Sequence, residues 1–306
     1  MDENLDGGGC YCEGKEVLTM QKSLQAMIDS MSDLPSMPDI LEELFRVTST
    51  PSCSSKDVAR VLEKDQGLTA KLLRVANSPF YGLSRKVDTV ERACTVLGLN
   101  TVKNMALSVS IMDVFGSAGV RSSIDVAEMW RHNLGCAVSA KAVFETKFKG
   151  GDDVFVGGIL HDIGKIILDT YMQDEYFEVM KLHDSGVPLL DSEIRVLGRT
   201  HAAVGRILAR RWRFPEKVEA MIAFHHRPKE TKVAMDHVAA VHAGNEIAKA
   251  LMLGKSNEIY VMPIDKTCWD MFFKNGDNIE GLLFKIQEEF YQIEDAFGLR
   301  PKNAEV

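Results

Sequence analysis

From Leu34 onward, apolar residues recur three and four apart with little interruption, the pattern of amphipathic helices rather than of alternating strands. Ile40, Leu41, Leu44 and Val47 form a first stripe, opened by Pro38, which suits a first helical turn. Val58, Val61 and Leu62 form a second behind Ser54 or Ser55. Leu68, Leu72, Leu73 and Val75 form a third, which begins near Asp65 and closes at Asn77-Ser78-Pro79. After a Phe80-Tyr81-Gly82 turn, the pattern predicts one helix stopped by Gly98 and another running from Asn100 to about Phe115. A loop around Gly116 to Ser123 leads into a long helix from about Asp125 to Phe148, and helical periodicity continues to about Leu253. Val154 to Leu160 has strand propensity, yet no turn signals for a sheet flank it. The expected fold class is all-α.

The same pattern divides the chain. Residues 1–22 read as a flexible acidic leader, with Gly7-Gly8-Gly9 and a Cys10-Tyr11-Cys12 pair, and residues 1–33 hold seven acidic and two basic side chains. Residues 23–250 form the main body, an N-terminal helical part (23–118) followed by a second part (119–250). Residues 251–306, with Tyr260, Trp269, Phe272, Phe273 and an amphipathic stretch from Ile279 to Phe297, read as a helical extension that closes the fold or builds an interface.

Composition adds exclusions. At 306 residues, 45% hydrophobic and 26% charged, the chain has ordinary globular usage, which rules out collagen, coiled coil and wholesale disorder. A formal charge of -8 disfavours attraction to a phosphate backbone, so nucleic acid is not the expected partner. Six scattered cysteines without a repeated metal-ligand spacing, no basic secretory start and no apolar run approaching a membrane span point to reduced thiols, a cytoplasmic location and no membrane.

Chemistry concentrates in one region, because all eight histidines lie between residues 132 and 242. His161, Asp162 and Lys165 stand in an otherwise aliphatic segment, Ile159 to Leu168, read as one helix. A buried charge there costs several kcal/mol, in order of magnitude, unless it is paired or coordinated. An Asp162–Lys165 ion pair and a metal-ligand set fit this segment equally well. Glu128 and His132, four apart, project together on a helix, as either a surface pair or a chelate. His201 begins the stripe Val204, Gly205, Leu208 and Trp212; Val218, Met221, Ile222 and His225 form another, with His226 adjacent and Pro228 ending the helix. A common destination for these groups from four helices explains them better than four unrelated core histidines. Mixed imidazole and carboxylate donors suit one or two divalent transition-metal ions, Fe or Mn first, with Zn, Co or Ni compatible.

Glu128/His132, His161-Asp162-Ile163-Gly164-Lys165, His201-Ala-Ala-Val-Gly205 and His225-His226 resemble the HD superfamily of metal-dependent phosphohydrolases. Leu34-Pro-Ser-Met-Pro38, Asp65-Gln-Gly-Leu-Thr-Ala-Lys-Leu-Leu-Arg-Val-Ala-Asn77-Ser78 and Thr89-Val-Glu-Arg-Ala-Cys-Thr-Val-Leu-Gly98 are similar to the HDOD family of bacterial signalling proteins, over residues 23 to 230. The resemblance implies a helical N-terminal part covering an HD-type core. It implies a metal-binding regulatory protein that works through a signalling protein partner or a nucleotide-type small ligand. The alternative it implies is an active phosphohydrolase or phosphodiesterase, with Asp162 bridging the ions and Lys165 stabilising developing negative charge. By register, Asn245 falls where the superfamily places a final Asp ligand. His242, Glu246 or Asp236 could take that role only after a helix rotation or loop shift. The Gly-Tyr-Pro segment of HD-GYP phosphodiesterases is replaced here by Arg227-Pro228-Lys229-Glu230-Thr231, so cyclic di-GMP cleavage does not carry over. Arg206 and Arg210, near His201, offer guanidinium groups to a phosphate or else form a solvated face paired with acidic neighbours.

Overall fold

A computed structural model describes residues 36–116, 122–258, 260–274 and 278–300, so the leader and its Cys10/Cys12 pair lie outside the described residues. Among the described residues there is no strand, and the chain is all-α. The first helices begin where their caps dictate. α1 (Asp39–Thr48) follows Pro38, α2 (Ser55–Leu62) starts from a Ser54/Asp57 capping box, and α3 (Gln66–Ala76) is capped by Asp65. A short 3-10 turn, Pro79–Tyr81, leads on to α4 (Val90–Leu97) and α5 (Leu99–Phe115), which meet at Gly98.

α6 (Val126–Glu145) is buried along nearly its whole length, because α7 (Asp152–Leu160), α13 (Met235–Ala250) and α15 (Ile279–Glu294) all pack on it. α7 is the stretch with strand propensity; its glycines let it lie hard against α6, where a Cβ on Gly158 would stand 2.4 Å from the Ala137 Cα. The remaining elements are α8 (Ile163–Tyr171), α9 (Gln173–Asp184), α10 (Leu189–Leu197), α11 (His201–Arg211), α12 (Glu216–Phe224), a 3-10 turn at Pro228–Glu230, and α14 (Lys266–Phe272).

One apolar cluster runs without a break from Met37 to Ala296. Aromatic contacts join its ends: Phe45 meets Phe214 at 6.2 Å, Phe115 meets Trp212 at 5.9 Å, and Phe155 lies 5.9 Å from Phe80 and 6.4 Å from Phe297. Among the described residues no helix is long and apolar enough to cross a membrane.

A candidate metal centre at a helix break

The segment read as one helix from Ile159 to Leu168 is two. α7 ends at Leu160 and α8 begins at Ile163, with Asp162 (φ -101°, ψ 10°) leaving helical geometry between them. The break follows from packing, since α7 rests on α6 whereas α8 rests on α11. It turns the His161 and Asp162 side chains into the space between these helices. There they meet His132 from α6, His201 from the first residue of α11, and His225 and His226 just beyond the end of α12.

His132, His161, Asp162, Lys165, His201 and His225 are all 0% exposed, so any charge on them must be met by protein groups rather than by water. Asp162 is the hub. Its Oδ1 lies 3.2 Å from His201 Nε2 and 3.6 Å from His225 Nε2, while its Oδ2 lies 3.3 Å from His161 Nε2 and accepts from Lys165 Nζ at 2.8 Å. His226 Nε2 is 3.0 Å and His225 Nε2 3.4 Å from His201 Nε2.

Three of the rings are oriented by their other nitrogen. His161 Nδ1 donates to Gly158 O at 2.7 Å, His225 Nδ1 to Ile222 O at 2.8 Å, and His201 Nδ1 to the Glu193 carboxylate at 2.9 Å. With Nδ1 directed at an acceptor, Nε2 faces inward, where it serves as a lone-pair donor once its own proton is given up, the arrangement by which outer partners prepare histidines for a metal. Lone pairs facing each other across so short a gap repel unless a cation or a proton lies between them. Consistent with that, His132 Nδ1, His161 Nε2 and Asp162 Oδ1 are buried without a hydrogen-bond partner. Donor atoms of Asp162, His201, His225 and His226 all lie within 4.8 Å of one another, as do those of His132, His161 and Asp162. The residues present therefore fit one or two transition-metal ions sharing Asp162.

The other residues singled out in the sequence are placed as follows. Glu128 belongs to neither group: Arg131 takes its carboxylate at 3.1 Å and reaches Glu294 of α15 as well, so the Glu128–His132 chelate is corrected to an ion pair linking α6 to the C-terminal helix. The i,i+3 guanidinium outcompetes the i,i+4 imidazole because it is permanently charged and its Nη1 donates to both Glu128 oxygens. Asn245 faces His132, with Oδ1 2.9 Å from Nε2. His242 is held by His225 O and the Asp265 amide, Glu246 pairs with Lys249, and Asp236 pairs with His237. Arg206 and Arg210 both donate to one Glu219 oxygen at 2.8 Å on the surface, so their guanidinium groups are committed to a carboxylate rather than to an open phosphate site.

Two functional residues escaped the sequence reading. Glu193, 0% exposed, orients His201; it occupies the inward stripe Leu189, Glu193, Leu197 of α10, and a carboxylate at such a position was the available signal. Glu258 lies in an irregular segment with no periodicity to announce it. Its Oε1 accepts from Lys165 Nζ at 2.8 Å, and with Asp162 and Ser256 O at 3.0 Å this satisfies all three ammonium donors.

An all-α body with imidazoles gathered around a central aspartate at a helix break defines an HD-type protein. The model of the HDOD domain matches residues 34–228, and the chain belongs to the HDOD domain family. It is similar to an HDOD domain protein of unknown function from Geobacter sulfurreducens, with a TM-score of 0.74 and 26% identity, covering 90% of this chain and 98% of that one. A protein from Shewanella amazonensis SB2B, whose name proposes a phosphohydrolase, shares the fold with a TM-score of 0.71 at 22% identity, covering 90% and 97% of the two chains. An uncharacterized protein of Treponema pallidum (strain Nichols) is 27% identical over 236 residues, which are 73% of this chain and only 44% of that protein's length.

Proposed function

We propose that this chain is a bacterial, cytoplasmic, metal-binding signal-transduction protein of the HDOD family, whose metal centre sets the state of a helical body read by a signalling partner. One observation carries the reading: buried imidazole and carboxylate atoms from separate helices converge on Asp162, with His161 Nε2 and Asp162 Oδ1 left without a hydrogen-bond partner. Asp162, His201, His225 and His226 would hold one ion, and His132, His161 and Asp162 with the neutral Asn245 a weaker second. Fe and Mn suit this donor set best, with Zn, Co and Ni also compatible. The large exposed apolar side chains Phe284 (62%) and Tyr291 (57%) on α15 support a protein partner.

Metal analysis of protein purified without chelators, repeated after reconstitution, tests the reading. At least one tightly bound ion per chain is expected in the wild type and none in Asp162→Ala. A chain that binds none of Fe, Mn, Zn, Co or Ni overturns it.

Lys165 favours a second reading, hydrolysis of a phosphoester. When bound, the metal would supply Lewis-acid polarisation of a phosphoryl oxygen. Lys165 is already fixed beside Asp162, where its charge can offset a developing anion. A screen of nucleotides and cyclic nucleotides separates the two: a turnover that disappears in Lys165→Met establishes the hydrolase, and none above background favours the regulator.

A further inference from the structure

The C-terminal segment following α13 passes beside the candidate metal centre as a strap, Glu258 lying next to Lys165 and His226. It packs against α6 at Gly254, which has a φ of +76° and lies so close that a Cβ there would stand 2.2 Å from the His132 amide nitrogen. The next amide, Lys255 N, donates to Glu128 O at 3.0 Å. Further on, Met262 N donates to Glu246 Oε2 at 2.7 Å and Asp265 N to His242 Nε2 at 2.9 Å. The anchors are polar, while Tyr260, Val261 and Met262 between them remain 44%, 53% and 57% exposed. A strap held by hydrogen bonds with little apolar burial opens more readily than the core beneath it.

Its one inserted charge is Glu258, whose two oxygens divide between two lysines: Oε1 to Lys165 at 2.8 Å and Oε2 to Lys249 at 2.9 Å. Oε1 is also 3.8 Å from His226 Nε2. A carboxylate thus spans two ammonium groups next to the candidate ligands, the position an oxyanion of a bound ligand would need. Lys249, Lys255, Ser256, His183, Asp184 and Glu258 itself line an adjoining cavity of about 360 Å³, roomy enough for the rest of a small ligand. Neither lysine depends on Glu258 alone, since Lys165 keeps Asp162 at 2.8 Å and Lys249 keeps Glu246 at 2.7 Å. Withdrawal of the strap would therefore free two positive charges without stranding either.

We infer that Lys165 and Lys249 form a binding site for the phosphoryl group of a small anionic ligand, and that Glu258 is a built-in competitor which occupies this site until the ligand displaces the strap. The inference rests on the metal-centre reading only for its setting; the two lysines and the carboxylate stand independently of the ion. Ligand binding in this scheme moves Glu258 with residues 254–257 and 260–265, and with them the exposed apolar side chains beside α14, which turns anion binding into a surface change.

Calorimetric titration with inorganic phosphate tests it, on the full chain with metal content measured in every sample. Glu258→Gln and Glu258→Ala should bind phosphate at least about tenfold more tightly than the wild type, and Lys249→Ala added to either should abolish the gain. In the unmutated protein, saturating phosphate should speed hydrogen exchange at the amides of Lys255, Met262 and Asp265, a readout that needs no variant to fold. Equal phosphate affinity in the wild type and both variants, or unchanged exchange at saturation, overturns the inference. Loss of bound metal in Glu258→Gln also overturns it, because Glu258 would then be a ligand. Absence of metal from every sample would sink the metal-centre reading while leaving the phosphate result to stand or fall alone.

Discussion

Asn245 puts a neutral amide where a carboxylate would complete the His132, His161 and Asp162 group, and in the absence of that charge its oxygen sits 2.9 Å from His132 Nε2. Asn245→Asp should raise metal affinity at this position by at least about tenfold, the scale on which even outer-shell changes act. In an Asp162→Ala background the same change should do little, and equilibrium dialysis of both pairs reads the difference. Metal uptake also carries a pH signature. Burial is the largest single influence on His201 and opposes a charge, but the Glu193 carboxylate together with hydrogen bonds to Asp162 and Glu193 lifts the imidazole to about 9. Burial likewise opposes a charge on His161, but Asp162, by charge and hydrogen bond and together with further neighbours, holds the ring well above its usual value. Burial pushes His225 down to about 4, and burial reinforced by His225 lowers His226. At neutral pH the metal-free protein therefore keeps protons on His161 and His201 that an ion must displace. Affinity should climb about tenfold per pH unit for each proton released, and the His201 contribution should level off above about 9. Stability of the metal-free protein runs the other way. The raised His201 contributes fully below its unfolded value of about 6.5, and that contribution is lost as pH rises through about 9. Calorimetry in buffers of different ionisation enthalpy counts the protons; a count of zero would contradict the assignment.

Helix ends position the candidate ligands here more than helix faces do. His161 and Asp162 occupy the α7–α8 break, His201 the first turn of α11 behind the Thr200 cap, and His225 the end of α12. Ends are set by backbone contacts, and the tightest is between α8 and α11, where a Cβ on Gly164 would stand 1.9 Å from His201 O. Gly164→Ala should therefore push α11 away, destabilise the fold by about 3 kcal/mol, and weaken metal binding at the Asp162/His201 position. Chemical denaturation and metal titration on the same variant test both effects; a stable variant with unchanged affinity would show that the two helices can part without moving His201.

Across the molecule, the N-terminal helices and the C-terminal helix meet through Phe155, which touches Phe80 on one side and Phe297 on the other. A contiguous core predicts cooperative unfolding. Phe80→Ala, at a half-buried site, should cost about 2 kcal/mol and lower a single calorimetric transition. Two transitions, with only the earlier one shifted, would instead show that the parts on either side of residue 118 unfold separately.

Periodicity alone was enough for the helical class, because a stripe at i, i+3 and i+4 can bury itself in no other regular structure, and Ser54 and Asp65 were local start signals that the structure uses as caps. The gathering of histidines was legible for the same reason: polar groups at His161 and His201 interrupt stripes that must face inward. Three features were not legible. The break at Asp162 depends on α7 and α8 having different partners, and Glu128 is lost to Arg131 because a guanidinium stands on the same face. Glu258 comes from a segment without periodicity, about a hundred residues beyond Asp162 and Lys165 in the chain. Its role arises where separate elements meet, and such a meeting point leaves no mark on the local pattern of either one.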